Sequence, residues 1–341
     1  MKQLLWLLLG LFVAACSNSE PDSPQWRNGS FHNLSNDEIL NQNILDYLWA
    51  RFTAEEYHAW PESIPYQQVA PAWEPVPPGE VQVRLLGHAS VLVRLPQLNL
   101  LIDPHWSPRA SPFSFMGPKR VRPPAVRFED LPPIDLVLIS HNHYDHLDLP
   151  TLKRLQKAFN PLFLVPLEAD RLLKSEGILR TQGMDWWQSE DLKNLKVTFV
   201  PAQHFSARGL FDRAQTLWGS WHLKTQGLSL YHAGDTAMAE HFALIAQKMG
   251  PVDLAVLPIG AYVPWDFMQK VHLNPEQAVE AHLQLQSKQS LAMHYGYFQL
   301  TGEPIEEPPI RLKAELARRG LDERDFSTPA YGDLILLENP P

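Results

Sequence analysis

Residues 136–148 run Leu-Val-Leu-Ile-Ser-His-Asn-His-Tyr-Asp-His-Leu-Asp, an apolar strand that passes directly into a turn crowded with metal-binding side chains. His141, His143, Asp145 and His146 fall within six residues of one another, a density that an ordinary solvated loop does not reach. Neutral imidazoles with one carboxylate suit zinc or a comparable first-row ion. Alternate side chains of an extended segment share a face. His141 and His143 can therefore point the same way, while the turn lets Asp145 and His146 face a second ion. A chain with this loop must hold it rigidly from a sheet and bring further ligands to it from distant segments.

Such partners occur in a sensible order. His204 follows the strand-like run 196–201, Asp235 sits in His-Ala-Gly-Asp-Thr after the apolar run 228–231, and His294 closes Leu-Ala-Met at 291–293. Each lies just past the end of a predicted strand, where a rigid scaffold places functional loops. Taken singly, His204 or His294 fits a structural histidine with its hydrogen bonds satisfied; as an ordered set with 141–146 they point to metal. Strand-like runs are predicted at 81–87, 89–95, 98–102, 134–139, 162–165, 196–200, 228–232, 253–257, 290–293 and 333–337. Helical periodicity is predicted at 150–159, 166–175, 238–248, 275–286 and 309–319. Periodicity alone gives mixed α and β.

The N-terminus has a different character. Lys2 precedes a largely apolar stretch, 4–15, that is too short for a membrane span and has the form of a secretory signal. Its end, Val-Ala-Ala-Cys, resembles a bacterial lipobox, so residues 1–15 are read as a leader and Cys16 as the lipidation site. Cys16 is the single cysteine of the chain; the alternative is a buried thiol in an N-terminal helix. No disulfide can form within the chain, and metal ligands are restricted to nitrogen and oxygen. Lipid anchoring would place the protein in the bacterial cell envelope; Ser17 after the cysteine resembles an outer-membrane sorting signal, with the inner membrane as the alternative. Without the leader, 28 basic residues face 38 acidic ones (29 minus Lys2, against 38), a net of −10, which argues against nucleic acid as a partner.

Residues 16–80 are read as tether and N-terminal extension, and 81–341 as one domain that carries the metal loop. The tether, 17–30, is polar and rich in Pro and Ser. Ile39, Ile44, Leu45, Leu48 and Phe52 recur with helical spacing within 36–57, and six prolines between Pro61 and Pro78 mark an extended connector. With 341 residues and 45% apolar content the chain can build one large core. Oligomeric state is not readable.

The 141–146 loop resembles the HxHxDH signature of the metallo-β-lactamase superfamily. Longer blocks narrow the likeness: Gly87-His-Ala-Ser90, Met116-Gly-Pro-Lys-Arg120, Leu131-Pro-Pro-Ile-Asp135, Leu217-Trp-Gly-Ser-Trp221, Gly250-Pro-Val-Asp253, Pro258-Ile-Gly-Ala-Tyr262, His272-Leu-Asn-Pro-Glu276 and His294-Tyr-Gly296. Together, from about residue 26 to 336, they resemble the N-acyl-phosphatidylethanolamine-hydrolysing phospholipase D family. The resemblance implies a four-layer αββα sandwich. It implies His141, His143 and His204 on one ion, Asp145, His146 and His294 on the other, and Asp235 between them. The ions implied are two Zn2+, with iron or manganese equally compatible with the donors.

The reaction implied is hydrolysis of a membrane phospholipid to N-acylethanolamine and phosphatidic acid. Asp145 and Asp235 would serve it through the metals, and His272 would steady a phosphate oxygen or protonate the leaving alkoxide, unless it is a helix-start histidine with a structural bond. Lys119, Arg120 and Phe115 form the expected substrate loop, with Arg122, Phe113 and Met116 beside them; a solvated basic loop is the alternative. Asp103 is expected to orient a ligand histidine, His88 to be structural, and Trp186, Trp187, Trp218 and Trp221 to pack. The likeness departs at Ser114 and Phe115, where eukaryotic members carry a polar side chain and a tyrosine. Two other readings of the chain are a lactonase or ester hydrolase on the same fold, and a non-catalytic envelope lipoprotein with structural metals.

Overall fold

The computed structural model describes residues 20–35, 37–41, 57–225 and 227–338. A short hairpin, β1 (Trp26–Arg27) and β2 (Ser30–Phe31), comes first. The first half then contains β3 (Glu80–Gly87), β4 (Ser90–Leu95), β5 (Leu98–Ile102), β6 (Leu136–Leu138), α1 (Leu149–Phe159), β7 (Leu162–Pro166), α2 (Ala169–Ser175) and β8 (Thr181–Met184). The second half contains β9 (Ser189–Leu192), β10 (Leu195–Val200), β11 (Ser220–Thr225), β12 (Leu228–His232), α3 (His241–Met249), β13 (Leu254–Pro258) and α4 (Trp265–Met268). It ends with α5 (Pro275–Gln284), β14 (Gln289–Met293), α6 (Glu307–Arg319), β15 (Phe326–Ser327) and β16 (Ile335–Glu338).

Two seven-stranded sheets result, ordered β16-β3-β4-β5-β6-β7-β8 and β15-β14-β13-β12-β11-β10-β9. Strand alternation sorts the first sheet's side chains into two layers. Val91, Val93, Leu100, Ile102, Leu136, Leu138 and Leu164 join a core shared with Val197, Phe199, Trp221, Leu223 and Leu230 of the second sheet. Their neighbours Leu92, Leu101, Val137, Phe163 and Val165 face the other way, onto Leu152 and Leu155 of α1 and Leu173 of α2. Phe242, Ile245, Val279 and Leu316 cover the second sheet from α3, α5 and α6. This is the αββα sandwich expected from the resemblance.

Strand direction positions the site. β5–β6–β7 and β12–β13–β14 pair in parallel. β3 is antiparallel to β4 and β4 to β5, and β10 to β11 and β11 to β12, so β3 runs with β5 and β10 with β12. The C-terminal ends of β3, β5, β6, β10, β12, β13 and β14 therefore gather on one rim.

The predicted strands and helices from 81 onward are present, with ends shifted by a few residues. Sequence reasoning missed β8, β9, β11, β15 and α4. The leader, Cys16 and most of the helix expected over 36–57 lie outside the described residues; 38–41 form a 3-10 turn. The proline-rich connector has no regular element and is pinned to the sandwich. Ile64 N donates to Val121 O (2.6 Å), Val69 N to Ala125 O (2.8 Å) and Trp60 Nε1 to Glu303 O (2.8 Å). The hairpin is likewise docked: Phe31 is buried in the shared core and its N–H bonds Ala214 O at 2.9 Å.

Candidate metal centre

The rim assembles three overlapping groups of donors: His141, His143, His204 and Asp235; His88, Asp145, His146 and His294; and Asp235, His272 and His294. Within each, one donor atom per residue lies within 4.8 Å of the others. Asp235 belongs to both sides. Its Oδ2 is 3.1 Å from His146 Nε2, 3.7 Å from His141 Nε2, 3.9 Å from His204 Nε2 and 4.0 Å from His272 Nε2, and its Oδ1 is 3.1 Å from His294 Nε2. Asp145 Oδ2 lies 3.0 Å from His88 Nε2 and 3.3 Å from His294 Nε2. All seven residues expected to hold metal are thus together, with His272 beside them.

The orientation of the rings fits metal binding. His146 Nδ1 is bonded to Asp103 Oδ2 (2.8 Å), His204 Nδ1 to Val271 O (2.9 Å) and His141 Nδ1 to Ser140 Oγ (3.0 Å). An acceptor on the outer nitrogen fixes the proton there and leaves the inner nitrogen a free lone pair, the usual second-sphere arrangement of metal histidines. Inside the cluster, His141 Nε2 and His143 Nδ1 approach to 2.8 Å. His146 Nε2, His294 Nε2 and Asp235 Oδ1 are buried without a hydrogen-bond partner of proper geometry. Buried polar atoms of this kind are costly, and a shared cation answers all of them.

Electrostatics agree. Burial lowers His141 and His204 well below the ordinary histidine value and His143 to about 4, so their lone pairs are available at neutral pH. Burial alone would raise the carboxyls of Asp145 and Asp235, but His146 and its neighbours outweigh it and hold both well below the usual range. The same carboxylates overcome burial at His146, raised well above its ordinary value, and at His294, raised to about 9. Two fixed anions here call for positive charge between them.

Local sequence explains the placement. Asp103 accepts from Ser140 N (2.7 Å), Ser140 Oγ (2.6 Å) and His146 Nδ1, the orienting role expected of it. Asn274 caps α5 by accepting from Gln277 N at 2.8 Å, with Pro275 in the first turn, so the His272-Leu-Asn-Pro-Glu block is a helix start that fixes His272 at the rim. In Pro258-Ile-Gly-Ala-Tyr, a Cβ on Gly260 would lie 2.2 Å from the His294 carbonyl oxygen; only glycine lets that backbone approach the ligand.

Sequence reasoning missed several contributors. His88, expected to be structural, places Nε2 against Asp145 and a ring 3.9 Å from that of His294. Asn33, from the N-terminal extension, pairs with both backbone groups of His204: Nδ2 donates to His204 O (3.0 Å) and Oδ1 accepts from His204 N (3.1 Å). It also accepts from Trp218 Nε1 at 3.0 Å. Arg208 lies over the Tyr144 ring at 3.9 Å and donates to Asn142 O and Leu147 O, clamping the metal loop. A 171-residue separation leaves no local signal for Asn33.

The expected substrate loop divides. Arg120 donates to Trp106 O (2.6 Å) and Ser107 O (3.2 Å), which ties it to backbone. Lys119 and Phe115 are exposed. Trp186, Trp218 and Trp221 are buried packing residues, while Trp187 is partly buried against the core.

Residues 98–295 match the β-lactamase superfamily domain family. The chain is 39% identical over 263 residues to N-acyl-phosphatidylethanolamine-hydrolyzing phospholipase D 1 of Caenorhabditis elegans, covering 73% of this chain and 74% of that protein. It is 37% identical over 314 residues to an uncharacterized protein of Mycobacterium tuberculosis, covering 90% of this chain and 83% of that one. Among solved structures it resembles Igni18, a metallo hydrolase of the archaeon Ignicoccus hospitalis, with a TM-score of 0.58 and 22% identity over 76% of this chain and 100% of that one.

Proposed function

This chain belongs to the N-acyl-phosphatidylethanolamine-hydrolysing phospholipase D family of the metallo-β-lactamase superfamily, a family of metal-dependent hydrolases, and from that premise we propose that it cleaves the phosphodiester of N-acyl-phosphatidylethanolamine-like lipids. The products are N-acylethanolamine and phosphatidic acid. The observation that carries the reading is the buried cluster whose outer nitrogens are tied off by Asp103, Val271 and Ser140 while its inner donors converge. The substrate is supported by the likeness to the nematode protein over three quarters of both chains.

His141, His143 and His204 would hold one ion, Asp145, His146 and His294 the other, and Asp235 both. Zinc suits these nitrogen and oxygen donors, as do iron and manganese. Two such ions, when bound, stabilise phosphoryl charge and make an attacking oxygen available at neutral pH. His272 is held by burial down to about 4 and is neutral near pH 7, so it offers an N–H to a phosphate oxygen beside Asp235. His88, with Nε2 3.0 Å from Asp145 Oδ2, would orient that carboxylate. The leader and Cys16, outside the described residues, fit a lipid-anchored protein of the bacterial envelope whose substrate lies in the same membrane.

The test is incubation of the purified full-length protein with N-acyl-phosphatidylethanolamine in mixed micelles, with and without chelator, alongside metal analysis of the protein. Expected are about two equivalents of metal per chain and chelator-sensitive release of phosphatidic acid with N-acylethanolamine. Release of free fatty acid without any phosphate monoester would replace the phosphodiesterase with an ester or amide hydrolase.

A further inference from the structure

Two ordered loops beside the metal centre carry large apolar side chains into solvent. The first, 108–120, is closed at its base by Ala110 N to Pro118 O and Arg120 N to Pro108 O, each 3.0 Å. Gly117, at φ +97°, lets Ser111 pack where a side chain would stand. At its tip Phe113, Phe115 and Met116 are 47%, 76% and 54% exposed. In the second, 207–214, the Asp212 carboxylate accepts from Arg208 N (3.0 Å) and Gly209 N (2.7 Å). That turn drives Leu210 and Phe211 outward, 84% and 95% exposed. These tips are built, since each has its own internal hydrogen bonds. Solitary exposed apolar residues are ordinary, but two neighbouring loops with five of them mark an interaction surface.

Charge identifies the partner. Residues 108–120 contain Arg109, Lys119 and Arg120 and no acid, and 207–214 contain Arg208, Arg213 and Asp212. Five basic residues against one acidic give these loops +4 in a chain of −9. Lys119 has no ion-pair partner among the described residues. Between the loops lies a cleft of about 820 Å³ lined by Phe113, Tyr144, Leu149, Leu172 and Arg208. It runs alongside the metal loop, and none of the clustered donors opens onto it. Arg120 and Arg208 are committed to backbone carbonyls, but apolar tips flanked by the exposed Lys119 and the half-buried Arg109 and Arg213 complement a surface with phosphate outside and acyl chains beneath. No helix among the described residues is long and apolar enough to cross a membrane.

We propose that the tips of 111–117 and 209–212 form a docking surface for a phospholipid bilayer, a proposal that takes its occupant from the phospholipid reading above. Leu210 and Phe211 enter the acyl region, Phe115 and Met116 enter beside them, and Lys119 remains at the phosphates. Arg208 then links the docked loop to the metal loop through Asn142 and Leu147, which brings the lipid surface to the rim of the site.

The experiment uses the full-length chain with Cys16→Ser, spin-labelled at Phe115→Cys, Phe211→Cys or, as control on α6, Ile310→Cys. With phosphatidylcholine vesicles containing phosphatidic acid, labels at 115 and 211 are expected to lose collisions with a water-soluble nickel chelate and gain them with oxygen. The label at 310 should not change. Leu210→Ser with Phe211→Ser should weaken vesicle binding about tenfold or more. It should leave turnover of a dispersed short-chain phosphodiester unchanged. Labels at 115 and 211 that stay water-accessible at vesicle excess overturn the proposal, and so does protection without lipid accompanied by a doubled mass, which would assign the surface to a second copy. Insertion without cleavage of N-acyl-phosphatidylethanolamine keeps the docking surface and removes the substrate; cleavage in micelles with wet labels does the reverse.

Discussion

Replacing Asn33 with alanine removes a side chain that touches no donor nitrogen of the cluster yet fixes one of its ligands. The amide is buried and makes three hydrogen bonds, two with the backbone of His204 and one with Trp218. Trp218 Nε1 keeps a partner in Ala202 O at 3.2 Å, so the truncation orphans two groups, His204 N and O. At about 1–3 kcal/mol for each buried polar group left unpaired, the loss is about 2–6 kcal/mol, toward the lower end where water enters the space. Part of that is stability. The remainder should be lost from metal binding, because His204 would no longer be held with its Nδ1 on Val271 O. Loss of such outer support typically lowers metal affinity about 10–100-fold. The assay is competition against a chromophoric chelator, with thermal unfolding of the metal-free chain alongside. Asn33→Asp is the second variant: its carboxylate can still accept from His204 N and Trp218 Nε1 but meets the His204 carbonyl as a second acceptor, so it should lose affinity as well. A lowered Tm in the alanine variant, with affinity unchanged for both ions, would show that Asn33 serves the fold alone.

Gly260→Ala should displace the backbone at His294, because its Cβ would stand 2.2 Å from that residue's carbonyl oxygen. A loss of about 3 kcal/mol in chemical denaturation and one tightly bound metal fewer per chain are expected. His222, away from the cluster, is buried with neither ring nitrogen bonded, and burial lowers it to about 4. Above its unfolded value of about 6.5 both states are neutral and it contributes no pH dependence. As pH falls from there to about 4, the unfolded chain takes up the proton first and stability declines by about 1.4 kcal/mol per pH unit. His222→Leu should therefore flatten part of the acid side of the Tm–pH curve relative to the parent in the same buffers; an unchanged slope would place the titration elsewhere.

The sandwich was legible where hydrophobic runs were long. β6, β7 and β13 are continuous apolar stretches and β4 and β10 are mostly so, while α1 and α6 carry strong helical periodicity, so burial and pattern agree. β8 (TQGM) and β9 (SEDL) have almost no apolar pattern, since each is the edge strand of its sheet and β9 is half-exposed as well. β11 was obscured because its start, Ser220-Trp221, reads as part of a tryptophan block; its strand character comes from pairing with β10 and β12. The donor set was legible for a related reason. Strand ends on one rim must present polar residues after apolar ones, and that transition is visible at His141, Asp235 and His294. The second layer of support was not legible, because Asn33, Arg208 and Val271 act through backbone contacts set only by the tertiary fold.

His88 shows why a strand–turn context hid a residue of the site. Its backbone has φ +48°, and two other rim residues share the left-handed conformation, Asp103 at φ +44° and His294 at φ +62°. For residues with a Cβ each such position costs of the order of 1–3 kcal/mol and persists only where its surroundings enforce it. The enforcement is visible. His294 N donates to His88 O at 3.0 Å and Asp103 N to Leu138 O at 2.9 Å, so each strained residue is tied to a neighbouring strand or to another strained one. Continued extension would keep the alternation and send every second side chain away from the rim. A single left-handed residue at a strand end breaks that alternation and redirects the chain. Glycine would relieve the strain at all three positions but would remove the carboxylate that holds His146, the imidazole that meets Asp145, and the donor that His294 brings to Asp235. The strain is therefore retained because side chain and backbone turn are both required at the same residue, which a sequence pattern cannot distinguish from an ordinary polar turn.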